Sequence, residues 1–420
     1  MPKYGFGTRA LHAGKDKKER SHTPPIYMTA SWEIRTPQEL EAGLSGKIPI
    51  YGRFGHNPTM EYAERKISGL EGGGVTRLCS SGMAAVNMAI HGAMKSGDHG
   101  IFIGPMYDRT YRTVHRLMQR EGYHFTLLGA ADPDLPQKVY AAICDRTRLV
   151  FGEITTNPTL AVWDVPKVKA VIQRRWQELQ AFLPGLPRPI LVVDPSFTSP
   201  YNFRAFECGA DVIANSDTKY RGAHGAFVLG SITVSKRYLK DNPAYWEEAN
   251  DWAADVGVTP GPQEAWLLGQ FLEDLHLRVP VQNKNAEALA RFLERHPAVL
   301  AVYYPGLESN PQHQLATKLL KTPYGEPGYG GMVTFRIKGG FEAAKRFLFL
   351  ITKKTFVKHK PSLGYTKTIV ESPALLSQRS MSEEHKKLWM VSDDLVRCSV
   401  GVEDRQDIID AFALTLARCM

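Results

Sequence analysis

From residue 61 onward the chain alternates between two rhythms of apolar and polar positions. Glu61 to Leu70 spaces its apolar residues three and four apart, Gly72-Gly73-Gly74 breaks the pattern, and Met83 to Met94 resumes it as an apolar helix. Short apolar runs follow at Gly100 to Ile103, Leu149 to Phe151, Ile190 to Val193, Val212 to Ala214 and Ala226 to Leu229. Their length and composition read as buried strands. Helical patterns at Thr110 to Glu121 and Val165 to Phe182 lie between them. Strand and helix in alternation predict an α/β fold with a mostly parallel sheet covered on both faces, with ligands at the carboxyl ends of its strands.

Pro260-Gly261-Pro262 punctuates the chain, and Glu264 to Glu294 then reads as mostly helical. Strand patterns at Val299 to Tyr303, Met332 to Ile337 and Val396 to Val400, with helices at Phe341 to Ile351 and Arg405 to Ala417, predict a smaller α+β domain. Residues 1–60, rich in Gly, Pro, Thr and Ser and with little periodicity, read as an extended arm. The predicted organisation is therefore an arm at 1–60, a ligand-binding domain at 61–258 and an α+β domain at 259–420.

Composition narrows the function classes. A hydrophobic fraction of 43% and a charged fraction of 23% are ordinary for a globular protein and exclude a largely disordered one. The net charge of +9 is spread along the chain, and its densest clusters, Lys15 to Arg20 and Lys353 to Lys360, lack interleaved stacking aromatics, so nucleic acid is not the expected partner. A basic balance also suits a cofactor and substrate that carry phosphate and carboxylate groups. Five cysteines without C-x-x-C spacing give neither a zinc site nor a disulfide framework, which points to a reducing compartment. The start, Met1 to Gly7, has no apolar stretch after its basic residue, and no run approaches eighteen apolar residues. A cytoplasmic protein that neither enters a membrane nor holds a structural metal is expected.

Four segments carry candidate chemistry. Lys219, in Ser216-Asp217-Thr218-Lys219, follows an apolar strand, so its amine can meet an aldehyde while Ser216 and Thr218 bond a phosphate; taken alone, such a lysine is far more often a solvated surface residue. Asp194 ends the run Ile190 to Val193 and either faces a ring nitrogen or merely starts a turn. Ser80-Ser81-Gly82-Met83 opens an apolar helix whose amides suit an anion, or simply starts it. Arg397 lies in an alternating strand, where its planar fork suits a carboxylate or faces water from a sheet edge. An amine, an acid, an anion cradle and a carboxylate fork are what pyridoxal 5'-phosphate (PLP) chemistry requires.

In this order and at these separations the segments resemble the trans-sulfuration family of PLP enzymes, which includes cystathionine γ-synthase, cystathionine γ- and β-lyase, methionine γ-lyase and the homoserine sulfhydrylases. The matching pieces are Tyr51-Gly52-Arg53, Asn57-Pro58-Thr59, Leu70-Glu71-Gly72-Gly73, Ser81-Gly82-Met83-Ala84-Ala85, Thr156-Asn157-Pro158-Thr159, Val193-Asp194, Ser216-x-Thr218-Lys219-Tyr220, Ser362-Leu363-Gly364 and Val396 to Asp404. The resemblance implies a fold type I PLP-dependent transferase, similar to aspartate aminotransferase, and an amino-acid substrate. It implies that Lys219 forms the Schiff base and moves substrate protons, Asp194 binds the ring nitrogen and Tyr107 stacks on the ring. Ser81, Gly82, Met83, Ser216 and Thr218 would hold the phosphate, joined by Tyr51 and Arg53 from a neighbouring subunit, in a homotetramer built as a dimer of dimers with shared active sites. Arg397, Ser362 and Asn157 would hold the substrate carboxylate.

Departures cluster near the chemistry. The family's Asp-Asn-Thr is Asp194-Pro195-Ser196 here, and its Tyr-Gly-Gly-Thr is Tyr107-Asp108-Arg109-Thr110. The stretch after the lysine reads Arg221-Gly222-Ala223-His224-Gly225-Ala226, and Gln270 to Leu275 replaces Arg-Gly-Leu-Lys-Thr-Leu. Pro361 stands where many γ-acting members have Glu and β-lyases often have Tyr, so that marker is silent, while Ser392-Asp393-Asp394 before the Arg397 strand leans toward γ chemistry. Arg109 and Arg112 suggest a second anionic group at the far end of the substrate. The expected activity is elimination or replacement at Cγ, or at Cβ, of sulfur-containing or activated homoserine amino acids; a catalytically silent PLP-binding homologue is the non-enzymatic alternative. A nucleotide-binding reading of Gly72-Gly73-Gly74 fails for want of a Gly-Lys-Ser/Thr ending.

Overall fold

The computed structural model describes residues 4–16, 19–54 and 56–419. Met1 to Lys3 of the N-terminal stretch, and Lys17 and Lys18 of the basic Lys15 to Arg20 cluster, lie outside the described residues. Seven strands form the larger sheet: β1 (Val75–Cys79), β2 (His99–Gly104), β3 (His124–Gly129), β4 (Thr147–Glu153), β5 (Ile190–Asp194), β6 (Val212–Asn215) and β7 (Gly230–Val234), in the order β1-β7-β6-β5-β4-β2-β3. Only β7 runs against its neighbours. Along the central strands alternate residues feed two separate cores: Phe102, Phe151, Val192 and Ala214 pack on one face, and Ile101, Val150, Leu191 and Ile213 on the other. Two buried faces explain why these strands read as unbroken apolar runs.

Several details differ from the sequence reading. The strand expected at Ala226 to Leu229 is Gly230–Val234. Thr218 Oγ1 accepts from Leu229 N (3.0 Å) and donates to Leu229 O (3.1 Å), which occupies that residue's backbone groups, and Val228 faces outward at 62% exposure. The helix expected from Thr110 begins at Asp108 and widens into a π-helical turn over Thr113–Met118. Strands β1 and β3 had no apolar signature strong enough to be read. In β1 the polar Thr76 and Arg77 are buried because Thr76 bonds Thr233 (2.9 Å) and Arg77 bonds Asn250 (2.6 Å).

The second sheet holds β8 (Val299–Tyr303), β9 (Met332–Ile337), β10 (Lys358–His359), β11 (Ile369–Glu371) and β12 (Leu395–Ser399), ordered β10-β11-β12-β9-β8. Its pairs are antiparallel except β10 with β11. Val333, Phe335, Val396 and Cys398 pack against the helices Leu275–Arg295, Gly340–Lys354 and Arg405–Leu416. The single long helix expected over Glu264 to Glu294 is two, Pro262–Phe271 and Leu275–Arg295. The N-terminal region is less extended than its composition suggested: Phe6–His12 is a helix that buries Phe6 and Ala10, and Pro37–Leu44 is a second. Ile26, Met28 and Ile34 between them, and Tyr51 after the second, are exposed. No helix among the described residues is long and apolar enough to cross a membrane.

Candidate active site

The carboxyl ends of β4, β5 and β6 open into a cavity of about 470 Å³, closed on its other side by the segments around Ser362, Glu371 and Arg397 of the second sheet. This is where a parallel sheet leaves room, because its strand ends point at a crevice between connections.

Two strands end in acids. Asp194 and Glu153 are register partners at the tips of β5 and β4, and both line the cavity. Asp194 Oδ1 accepts from Ser196 N (2.9 Å); Glu153 accepts from Tyr107 N (2.6 Å) and Asn157 N (3.2 Å), so this one carboxyl ties down two neighbouring loops. Burial raises both carboxyls, and the Asp194 charge pushes Glu153 further up. Of the two neighbouring carboxyls, Glu153 is pushed further toward its neutral form. A cation facing Asp194 would relieve the cost of its burial.

Lys219 follows β6 across a tight turn, and its Nζ donates to Ser362 Oγ at 2.8 Å inside the cavity. Burial, with help from Arg397, lowers its pKa to about 8. Its neutral amine is therefore accessible near physiological pH, as a nucleophile or proton carrier requires.

The anion cradle lies at the start of the helix Gly82–His91. Ser81 caps it by accepting from Ala84 N (3.1 Å), worth about 1 kcal/mol. The first-turn amides of Gly82 and Met83 have no intrahelical acceptor. A Cβ at residue 82 would lie 2.6 Å from Ser216 Cβ, so only glycine lets helix and anchor turn approach this closely. The Ser216 side chain lines the same wall. Thr218 lines it too, but its hydroxyl is already committed to Leu229.

Arg397, 3% exposed, projects from β12 and donates to Asn157 Oδ1 (2.8 Å) and Ser362 O (3.1 Å). Its Nη2 also lies 3.0 Å from Glu371 Oε2. The Tyr107 ring and Arg109 line the mouth.

Of the residues singled out in the sequence, the structure brings Lys219, Asp194, Tyr107, Ser81, Gly82, Met83, Ser216, Thr218, Arg397, Ser362, Asn157 and Arg109 around one cavity. It does not bring Arg112, which sits one turn beyond Arg109 and is half-buried outside the lining. Tyr51 and Arg53 face a separate depression beside Thr259 and Pro260, where Arg53 Nη1 donates to Ala254 O (2.9 Å). Sequence reasoning missed Glu153, Ser196, Tyr365, Glu371 and Ser377, all of which line the cavity. Glu153 carried the same signal as Asp194, an acid ending a buried apolar strand. The Gly72-Gly73-Gly74 stretch is a helix stop, with Gly72 at φ 74°.

The altered segments have their own contacts. Arg221 is buried against Glu71 and Asp217 and donates to Ser231 Oγ (2.9 Å). His224 packs edge-on to Phe271 (4.6 Å between centroids), so two departures from the family pattern meet each other.

A half-buried amine, a half-buried acid on a neighbouring strand, unpaired first-turn amides and an arginine fork fit PLP: aldehyde, ring nitrogen, phosphate and substrate carboxylate each have a partner. A family model described as Cys/Met metabolism PLP-dependent enzyme matches residues 7–417. The chain is 32% identical to an L-methionine gamma-lyase of Porphyromonas gingivalis, covering 96% of this chain and 95% of that protein. It is 33% identical to a cystathionine gamma-synthase of Mycobacterium tuberculosis, covering 96% and 95%. The crystal structure of metB from Corynebacterium glutamicum superposes with a TM-score of 0.86 at 31% identity, over 99% of each chain. With family match, relatives and cavity in agreement, the chain belongs to the PLP-dependent enzymes of Cys/Met metabolism.

Proposed function

We propose that this enzyme catalyses elimination or replacement at Cγ of a sulfur-containing or activated homoserine amino acid, in the manner of cystathionine γ-lyase or γ-synthase. Cystathionine β-lyase, methionine γ-lyase and O-acylhomoserine sulfhydrylase activities are the alternatives within the family. The observation that carries the reading is the Lys219 amine, buried in one cavity with Asp194 and Arg397 and lowered to about 8.

When bound, PLP supplies an electron-withdrawing ring that stabilises negative charge at the substrate's Cα. Asp194 offers the carboxylate that keeps the ring nitrogen protonated, and Glu153 holds the Tyr107 and Asn157 backbones in place. Tyr107 presents a flat face to the ring, while the Gly82 and Met83 amides, Ser81 and Ser216 hold the phosphate; Thr218 would have to release Leu229 to join them. Arg397, Asn157 and Ser362 orient the substrate carboxylate, and Lys219 takes the Cα proton and returns protons along the chain. Arg109 has no acceptor among the described residues and stands ready for an anion at the far end of the substrate, whereas Arg112 lies outside the cavity lining.

The exposed Tyr51 and the apolar residues of 26–51 support an arm that meets a neighbouring subunit and completes its phosphate site, within a homotetramer. The division into residues 61–258 and 259–420 follows the two sheets. Five cysteines without a disulfide support a cytoplasmic enzyme. Incubation with cystathionine, methionine, cysteine and acylated homoserines, with keto acid and new thioether measured, tests the reaction. Turnover of a Cγ substrate is expected, and release of product from β-substituted substrates alone would overturn the γ reading.

A further inference from the structure

The guanidinium assigned to the substrate carboxylate already has an anion beside it. Glu371 and Arg397 are cross-strand neighbours in β11 and β12, so backbone register builds the pair into the cavity wall. Both are nearly sealed from solvent, at 2% and 3% exposure, and Glu371 Oε2 lies 3.0 Å from Arg397 Nη2. The other carboxylate oxygen, Oε1, accepts from Ser377 Oγ at 2.5 Å, and both Glu371 and Ser377 line the cavity. An arriving carboxylate thus meets an internally neutralised arginine instead of a bare one.

We infer that Glu371 is a built-in competitor for carboxylates at Arg397, a specificity-determining residue that keeps ligands held by their carboxylate alone weak. The inference rests on Arg397 being the carboxylate fork of the proposed reaction. An amino acid is held at its nitrogen as well and withstands the competition, because a second attachment raises the effective concentration of its carboxylate at the fork. The keto acid product of an elimination has lost that nitrogen. Glu371, kept close by Ser377, then reclaims Arg397 and the product leaves.

The test uses the PLP-loaded enzyme and 2-oxobutanoate, a carboxylate without an amine, with binding measured by calorimetry. Glu371→Gln keeps the shape and removes the charge, and it should bind 2-oxobutanoate at least about tenfold more tightly than the wild type. Product inhibition should rise in parallel. Glu371→Asp, which keeps the charge but shortens the reach, should gain less, and serves as the test if the Gln variant does not fold. Unchanged or weaker binding in these variants, while Arg397→Ala abolishes binding, would overturn the inference alone. If Arg397→Ala bound 2-oxobutanoate as well as the wild type, the inference would fall together with the assignment of Arg397.

Discussion

The turn from Ser216 to Arg221 has two faces, each built around a buried arginine with carboxylate partners. On the front, Lys219 and Ser216 look into a cavity where Arg397 meets Asn157, Ser362 and Glu371. On the back, Asp217 turns away from that cavity to meet Arg221, which also binds Glu71 and Ser231. Neither Arg221 nor Asp217 lines the front cavity, and Glu71 borders a separate depression instead. The front cluster faces a volume large enough for a cofactor and a small amino acid. Burial and pairing alone therefore do not mark a functional arginine; an open volume beside it does.

This contrast predicts that removing the front amine costs turnover and leaves stability nearly alone, while removing the back arginine does the reverse. The largest effect is expected from Lys219→Ala, which should lower turnover by at least about 10³-fold, assayed as keto acid release, with little change in the unfolding midpoint. Arg221→Leu leaves Glu71 and Asp217 buried without their cation and should cost about 3–5 kcal/mol in chemical denaturation. The same variant should keep most of its activity per folded molecule. If turnover per folded molecule fell as far as in Lys219→Ala, the two faces would not be separable. Arg397→Ala should lower kcat/KM by roughly a hundredfold, from lost charge-assisted hydrogen bonds to the carboxylate, and because it strands the buried Glu371 it should also lower stability.

The smallest effect is a pH dependence. Lys219 is lowered to about 8, so its neutral fraction grows as pH rises toward that value and is complete above it. PLP uptake by the apoenzyme, followed by absorbance, should accelerate about tenfold per pH unit below about 8 and level off above. A rate that kept climbing to the ordinary lysine range would place the amine in solvent, in conflict with the buried front face.

Much of the front face was legible in the sequence. Lys219 and Asp194 each follow an apolar strand buried on both faces, and that burial is what makes the run so apolar. Gly82 was readable as part of a turn that opens an apolar helix, while its close approach to Ser216 is a tertiary contact. Glu153 escaped because the apolar run was read as ending at Phe151, two residues short of the acid. Glu371 belongs to a strand of three residues, too short for periodicity to register, and its meaning depends on pairing across the sheet with Arg397. Arg109 and Arg112 look equivalent at a spacing of three, but one helical turn along the axis separates a residue at the cavity from one beyond it. The back face was visible only as a departure from the family pattern, since Arg221 names its partners Glu71 and Ser231 through tertiary contact alone.

The central claim is that Lys219, and no other lysine, joins PLP. Borohydride reduction of the PLP-loaded protein followed by peptide mass mapping tests it directly. One stoichiometric label is expected, on the peptide containing Lys219. A label spread over surface lysines, or absent from that peptide, would contradict it.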